Sequence, residues 1–199
     1  MKIYILRHED RTQDCSFFSP LTETGLNNTI KLATILTKHD IDTIFCSPFI
    51  RTLQTIYPYL KQKKYKVNLE YGLSELHHPD IISKRAVGIS LPEYLAITFN
   101  YEPEYKTVIK PNEISYPEND KQVGKRVKKV LYNIFVKYAK TDKNIILVSH
   151  QSICLAVLRL INKYSEEFKN KLTSEQLTVF GRGKCCLIYD NGWTYKPIN

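Results

Sequence analysis

Apolar residues recur along the chain in two rhythms that alternate, short unbroken runs and helical repeats. Ile3-Tyr4-Ile5-Leu6 is an apolar, β-prone run of strand length that breaks off at Arg7-His8. Ile41 to Cys46 is a second such run, Val67 to Leu69 a short third, and Asn144 to Ser149 a fourth that stops at His150; Cys185 to Tyr189 is the last. Between them lie helical periods. Leu26, Ile30 and Ala33, with Leu36 or Thr37, form one face behind Thr22 as N-cap. Phe49 to Thr55 follows Ser47 as a cap and Pro48 in the first helical position. Val123, Val127, Val130, Leu131, Ile134 and Tyr138 give the strongest period, and Ile153 to Ile161 another; a further helix is expected within Ser165 to Lys171. Strands alternating with helices predict an α/β fold: a mostly parallel central sheet with helices on both faces.

The pattern loosens from Leu76 to Glu118, where five of the nine prolines fall (Pro79, Pro92, Pro103, Pro111 and Pro117). This stretch reads as an inserted excursion with one short helix near Pro92 to Phe99, expected to lie over the catalytic edge of the sheet as a lid or specificity segment. With no linker or repeat, residues 1–199 read as one domain, a size that supports a substantial core.

Charge narrows the partners. Twenty-nine Lys and Arg against 20 Asp and Glu give a net +9, which favours anions: phosphorylated small molecules, nucleic acid or an acidic surface. Seven basic residues and no acid occur from Lys121 to Lys140, read as a solvated helix face in preference to a nucleic-acid or membrane contact. Cys15, Cys46, Cys154, Cys185 and Cys186 show no C-x-x-C spacing, so neither a disulfide framework nor a zinc knuckle is expected. Reduced, buried thiols, no signal-peptide apolar region and no membrane-length run point to a cytoplasmic protein.

Candidate chemistry gathers where the strands end. Arg7-His8 closes the first, Arg51 stands in the first turn of the helix after the second, His150 closes the fourth, and Glu75 lies in the loop after the third. Ligands of open α/β sheets bind at the carboxyl ends of strands, and a helix N-terminus beside a guanidinium suits an anion. Two histidines, several arginines and a carboxyl group are what phosphoryl transfer through a phosphohistidine requires: cations for the equatorial oxygens, an imidazole to attack, an acid for the leaving oxygen. His77 and His78 follow Glu75, but an adjacent pair has poor ligand geometry and no metal is expected there; His39 reads as a helix C-terminal cap.

Taken together, these motifs resemble the histidine phosphatase, or phosphoglycerate mutase-like, superfamily. Leu6-Arg7-His8 resembles its R-H-G motif, Pro20 to Gly25 its P-L-T-x-x-G segment, Ser47 to Thr55 its S-P-x-x-R-x-x-Q-T element, and Val148-Ser149-His150 its second-histidine motif. Arg7-His8-Glu9-Asp10-Arg11 and Gly72-Leu73-Ser74-Glu75 are similar to R-H-G-E-R and G-L-x-E of the Sts tyrosine-phosphatase-like domains. The resemblance implies His8 as nucleophile, Glu75 as proton donor, Arg7, Arg51 and His150 as phosphate ligands, His150 also counting among the catalytic groups, and Arg11 as an extra phosphate contact. It departs at Glu9 and Gln151, where glycine is usual, which puts substrate and rate in question more than fold. The expected activity is that of a histidine acid phosphatase-like phosphomonoesterase without cofactor, acting on a phosphorylated small molecule or phosphopeptide. Nucleic acid ranks below these, a membrane is not expected, and homodimerisation is left open. The alternatives are a phosphoglycerate mutase-type phosphoryl transferase and a catalytically weak phospho-ligand binding module of the same fold.

Overall fold

The structure is a computed structural model that describes residues 1–14, 16–164 and 171–199. Six strands, β1 (Lys2–Arg7), β2 (Thr43–Cys46), β3 (Val67–Leu69), β4 (Asn144–Ser149), β5 (Cys185–Asp190) and β6 (Trp193–Pro197), form one sheet in the order β3-β2-β4-β1-β5-β6. The first four are parallel; β5 runs antiparallel to β1, and β6 antiparallel to β5. The α/β architecture follows the expected pattern, except that β6 extends the sheet beyond what was expected to be the last strand. Its signal is brief: Asn191-Gly192, with Asn191 at φ +53°, turns the chain back as an Asn-Gly pair readily does.

Alternation along the strands divides the core. Ile3 and Ile5 of β1 and Ile145 and Leu147 of β4 pack with helices α4 (Asp120–Tyr138) and α5 (Gln151–Tyr164). Tyr4, Leu6, Ile146 and Val148 face the other way, toward α1 (Glu23–Thr37) and α2 (Ile50–Lys63). Both faces of the central strands are thus buried, which is why β1 and β4 read as continuous apolar runs.

Two helices depart from their expected form. In α1 the buried face is Gly25, Thr29, Leu32, Ala33 and Leu36, while Leu26 and Ile30 are exposed. The reason is Gly25: a Cβ there would stand 2.2 Å from the Asp10 carbonyl oxygen, so that edge of the helix lies against the loop after β1. Thr22 caps the helix as expected, its hydroxyl accepting from Gly25 N at 3.0 Å. Helix α2 does not stop near Thr55 but runs through Pro58 to Lys63, because Leu53, Ile56, Tyr59 and Leu60 continue one buried face past the proline. Nor does Ser47 cap it; Phe49 occupies the N-cap position without a side-chain bond. The C-cap of α1 is Lys38, one residue before the expected His39, whose backbone N–H still donates to the Leu36 carbonyl.

Residues 76–118 wrap the β3 edge. Val67 N donates to Asn100 O and Glu102 N to Val67 O, while α3 (Glu93–Thr98) brings Ala96 into the core on the α1/α2 side, joined by Ile82 and Leu91. Ile109 and Ile114 enter the opposite core. Fully buried Glu70, just after β3, fastens the crossing: its carboxylate accepts from Gly72 N, Tyr105 OH, Thr107 Oγ1 and Val108 N at 2.5–2.9 Å. Cys46, Cys154, Cys185 and Cys186 are buried and unbridged. Cys15 and residues 165–170, where most of a further helix was expected, lie outside the described residues. Among the described residues, no helix is long and apolar enough to cross a membrane.

Candidate active site

Strand register brings the two histidines together. Arg7 of β1 pairs with Ser149 of β4, so the next residues, His8 and His150, leave the sheet side by side, with His8 N donating to Ser149 O at 2.9 Å. Their rings meet edge to face with centroids 5.2 Å apart. Glu75 joins them: its carboxylate oxygen lies 3.7 Å from His150 Nδ1, and one donor atom from each of His8, Glu75 and His150 falls within 4.8 Å of the others. All three side chains are buried.

Hydrogen bonds assign the ring nitrogens. His8 Nδ1 lies 2.7 Å from the Glu9 carbonyl oxygen, which can only accept; Nδ1 therefore carries the proton and Nε2 keeps its lone pair. Ser47, expected as a helix cap, instead places its hydroxyl 2.8 Å from His150 Nε2. Donation by that hydroxyl leaves the His150 proton on Nδ1, the nitrogen on the Glu75 side. Neither His150 Nδ1 nor Arg7 Nε finds a hydrogen-bond partner, although both are buried. Unsatisfied buried polar atoms are costly, and these two belong to the residue before His8 in sequence and the residue against its ring, which leaves them available to an acceptor.

The cations act through space. Burial first, then the Arg51 guanidinium, with smaller effects from Arg7 and Arg11, push the His8 imidazole down to about 3, against an opposing effect of its bond to the Glu9 carbonyl. His150, fully enclosed and facing Arg51, is pushed well below the usual histidine range for the same reasons. Arg51 is buried in the first turn of α2, donates to Ser16 O at 3.0 Å and lies 4.5 Å from the centre of the Phe49 ring. Arg7 Nη1 is held by Gln151 Oε1 and Phe180 O, each at 2.6 Å. Arg11 stands farther out, bonded to Thr12 O.

The two departures from glycine have distinct outcomes. The Glu9 side chain turns away into space that Gly183 leaves: a Cβ at Gly183 would meet Glu9 Oε1 at 1.9 Å. Gln151 orients Arg7. Sequence reasoning missed that role, as it missed Arg182, whose charge reaches Arg7 and whose guanidinium pairs with Asp10. It also missed Arg126, assigned to a solvated helix face. Arg126 is buried, binds both oxygens of Glu118 at 2.8 Å, and donates to the carbonyls of Gly72, Ser74 and Glu75 at 2.8–3.2 Å. Glu118 and His77 close the neck of the excursion through two backbone-directed bonds, His77 N to Glu118 Oε2 and Glu118 N to His77 O. Half-buried His78 lies instead against Asp80.

The sequence profile of the histidine phosphatase superfamily (branch 1) matches residues 5–186. The chain belongs to this superfamily. Among solved structures, superfamily fold likeness extends to the ecdysone phosphate phosphatase of Bombix mori, solved with tungstate (TM-score 0.71, 15% identity, 98% of this chain and 91% of that one). It extends also to a mycobacterial glucosyl-3-phosphoglycerate phosphatase (TM-score 0.66, 13% identity, 98% and 94%) and to the α-ribazole phosphatase of Shigella flexneri (TM-score 0.65, 19% identity, 98% and 96%). In sequence, the transcription factor tau 55 kDa subunit of Saccharomyces cerevisiae is 29% identical over 149 residues. That match takes in 69% of this chain, which spans about a third (33%) of that relative's length.

Proposed function

We propose that this chain of the histidine phosphatase superfamily hydrolyses phosphomonoesters through a phosphohistidine on His8. The observation that carries the reading is the bare Nε2 of neutral His8, set against the His150 ring and within the field of Arg51 and Arg7, with His150 Nδ1 and Arg7 Nε buried and without partners. A phosphoryl group satisfies both donors and brings the negative charge that the arginines favour. His8 Nε2 attacks phosphorus as the ester P–O bond breaks, and Glu75 gives its proton to the departing oxygen. Water then attacks the phosphohistidine, the P–N bond breaks, and the water's proton passes to Glu75. Arg7, Arg51, His150 and Arg11 hold the transferring group throughout. Phosphatase names among the structural neighbours support the reaction class, and their unlike substrates leave specificity to the residues around the Glu75 neck, within 76–118.

The test is phosphate release from p-nitrophenyl phosphate in the presence of a chelator, with trapping of the intermediate. Wild-type protein should release phosphate and carry an acid-labile, base-stable label; His8→Ala should do neither while keeping its thermal unfolding transition. Label on the variant would move the nucleophile elsewhere. A second reading, a phospho-ligand binding module, draws on the yeast relative, which is named as a transcription factor subunit. Phosphate binding without turnover of any phosphoester tested would favour it.

A further inference from the structure

Away from the catalytic edge, α4 presents a stripe that neither the core nor the phosphate site uses. Lys125, Lys128 and Lys129 line a hollow of about 620 Å³ between α4 and the end of the excursion, where Ser115 and Gln122 also contribute. At Tyr132 the stripe changes character. Tyr132 is 71% exposed and Val136 68%, and beside them Phe135, Leu160 and Trp193 form an apolar notch of about 230 Å³. Lys128 and Tyr132 belong to both hollows. The spacing 125, 128/129, 132, 136 is that of one helix face, so charge and apolar surface form a continuous track.

Stability does not account for this track. Lys121, Lys125 and Lys129 are spaced i, i+4, where like charges repel, and no acid follows Asp120 in the helix to offset them. Glu118, in the wall of the hollow, is committed to Arg126, and Asp120 pairs with Arg159. Glu113 is the other acid at the rim. Exposed aromatic and aliphatic groups next to a cluster of charge of one sign are a pattern of interaction surfaces.

We propose that this face of α4 docks an acidic peptide segment of a partner protein, its carboxylates over Lys125, Lys128 and Lys129 and one bulky apolar side chain in the Phe135/Trp193 notch. Nucleic acid fits less well. The lysines span about 6 Å of helix, short for the many phosphate contacts on which duplex binding rests, and the track then turns apolar.

The experiment is fluorescence anisotropy with the full chain and a labelled peptide of four glutamates followed by Leu-Phe, at low and at physiological salt. Saturable binding is expected, weakened by salt, and reduced at least tenfold both by Lys125→Glu with Lys129→Glu and by Tyr132→Ser with Val136→Ser. A peptide with lysines in place of the glutamates should not bind. An unchanged thermal unfolding transition verifies that the variants fold. Undiminished binding by the charge-reversed protein, no saturation at millimolar peptide, or tighter binding of a duplex DNA lost in the same variants would each overturn the proposal.

Discussion

At His8 one backbone carbonyl decides which nitrogen keeps its lone pair, and the same economy governs the rest of the candidate site, where side chains are fixed by one or two short bonds. Arg51 illustrates the cost of losing one. Replacing it with Ala should lower kcat/KM by a factor equivalent to about 2–4 kcal/mol for every phosphoester, as loss of a charge-assisted contact to the transferring group does; an unchanged value would remove it from the phosphate site. Glu75 should act differently, through the leaving group. Glu75→Gln should slow alkyl phosphates strongly and p-nitrophenyl phosphate only slightly, because a nitrophenolate departs without a proton and an alkoxide does not. Equal losses would assign Glu75 to phosphate positioning or water activation. Arg51 was legible in the sequence because it stands at a helix start that the apolar pattern locates, and Glu75, in the loop after β3, because Gly72-Leu73-Ser74-Glu75 resembles a family motif. Gln151 and Arg182 were not: their importance lies in bonds to Arg7 and Asp10, distant along the chain and without periodic signal.

Among the elements, α4 does two unlike things with one basic sequence. Its outer lysines face solvent, whereas Arg126, one residue past Lys125, turns inward and clamps the loop that carries Glu75. Counting charges along a helix cannot separate these roles, since Arg126 is buried only because Glu118 arrives from the far end of the excursion to neutralise it. Arg126→Met should therefore destabilise the protein by about 3–5 kcal/mol, leaving Glu118 as a buried unpaired charge. Adding Glu118→Gln should restore part of that loss, read from the urea midpoint. Restored stability without restored activity on alkyl phosphates would show that the clamp positions Glu75 as well as holding the fold; no difference between single and double variants would mean the pair is not coupled. The same long-range logic explains α1, whose buried face was misread because Leu26 and Ile30 outweigh Gly25 and Thr29 in any apolar count. Contact with the Asp10 carbonyl, invisible in the local sequence, sets the rotation of that helix.

Across the whole molecule, the site's design carries a stability cost that pH should expose. His8 is pushed down to about 3 and His77, mainly by burial, to about 4, while His150 lies well below the ordinary histidine range. All three are neutral in the folded protein across the range in which an unfolded histidine, near 6.5, takes up a proton. Below pH 6.5 the unfolded chain therefore binds more protons than the native one, and stability must fall with falling pH; above it the difference vanishes. Between pH 7 and 5 each such histidine should remove about 2 kcal/mol, in a window that lies above the usual carboxylate range. Urea unfolding followed at intervals across that window should show a steady loss, and His77→Gln, which leaves the two active-site rings in place, should lessen the slope by one proton's share. Saturating phosphate should oppose the loss at every pH, since a ligand bound only by the native state adds its binding free energy to stability. A flat profile between pH 7 and 5 would mean that the buried imidazoles accept protons in the folded state, and a neutral His8 could then no longer be taken as the ground state of the proposed nucleophile.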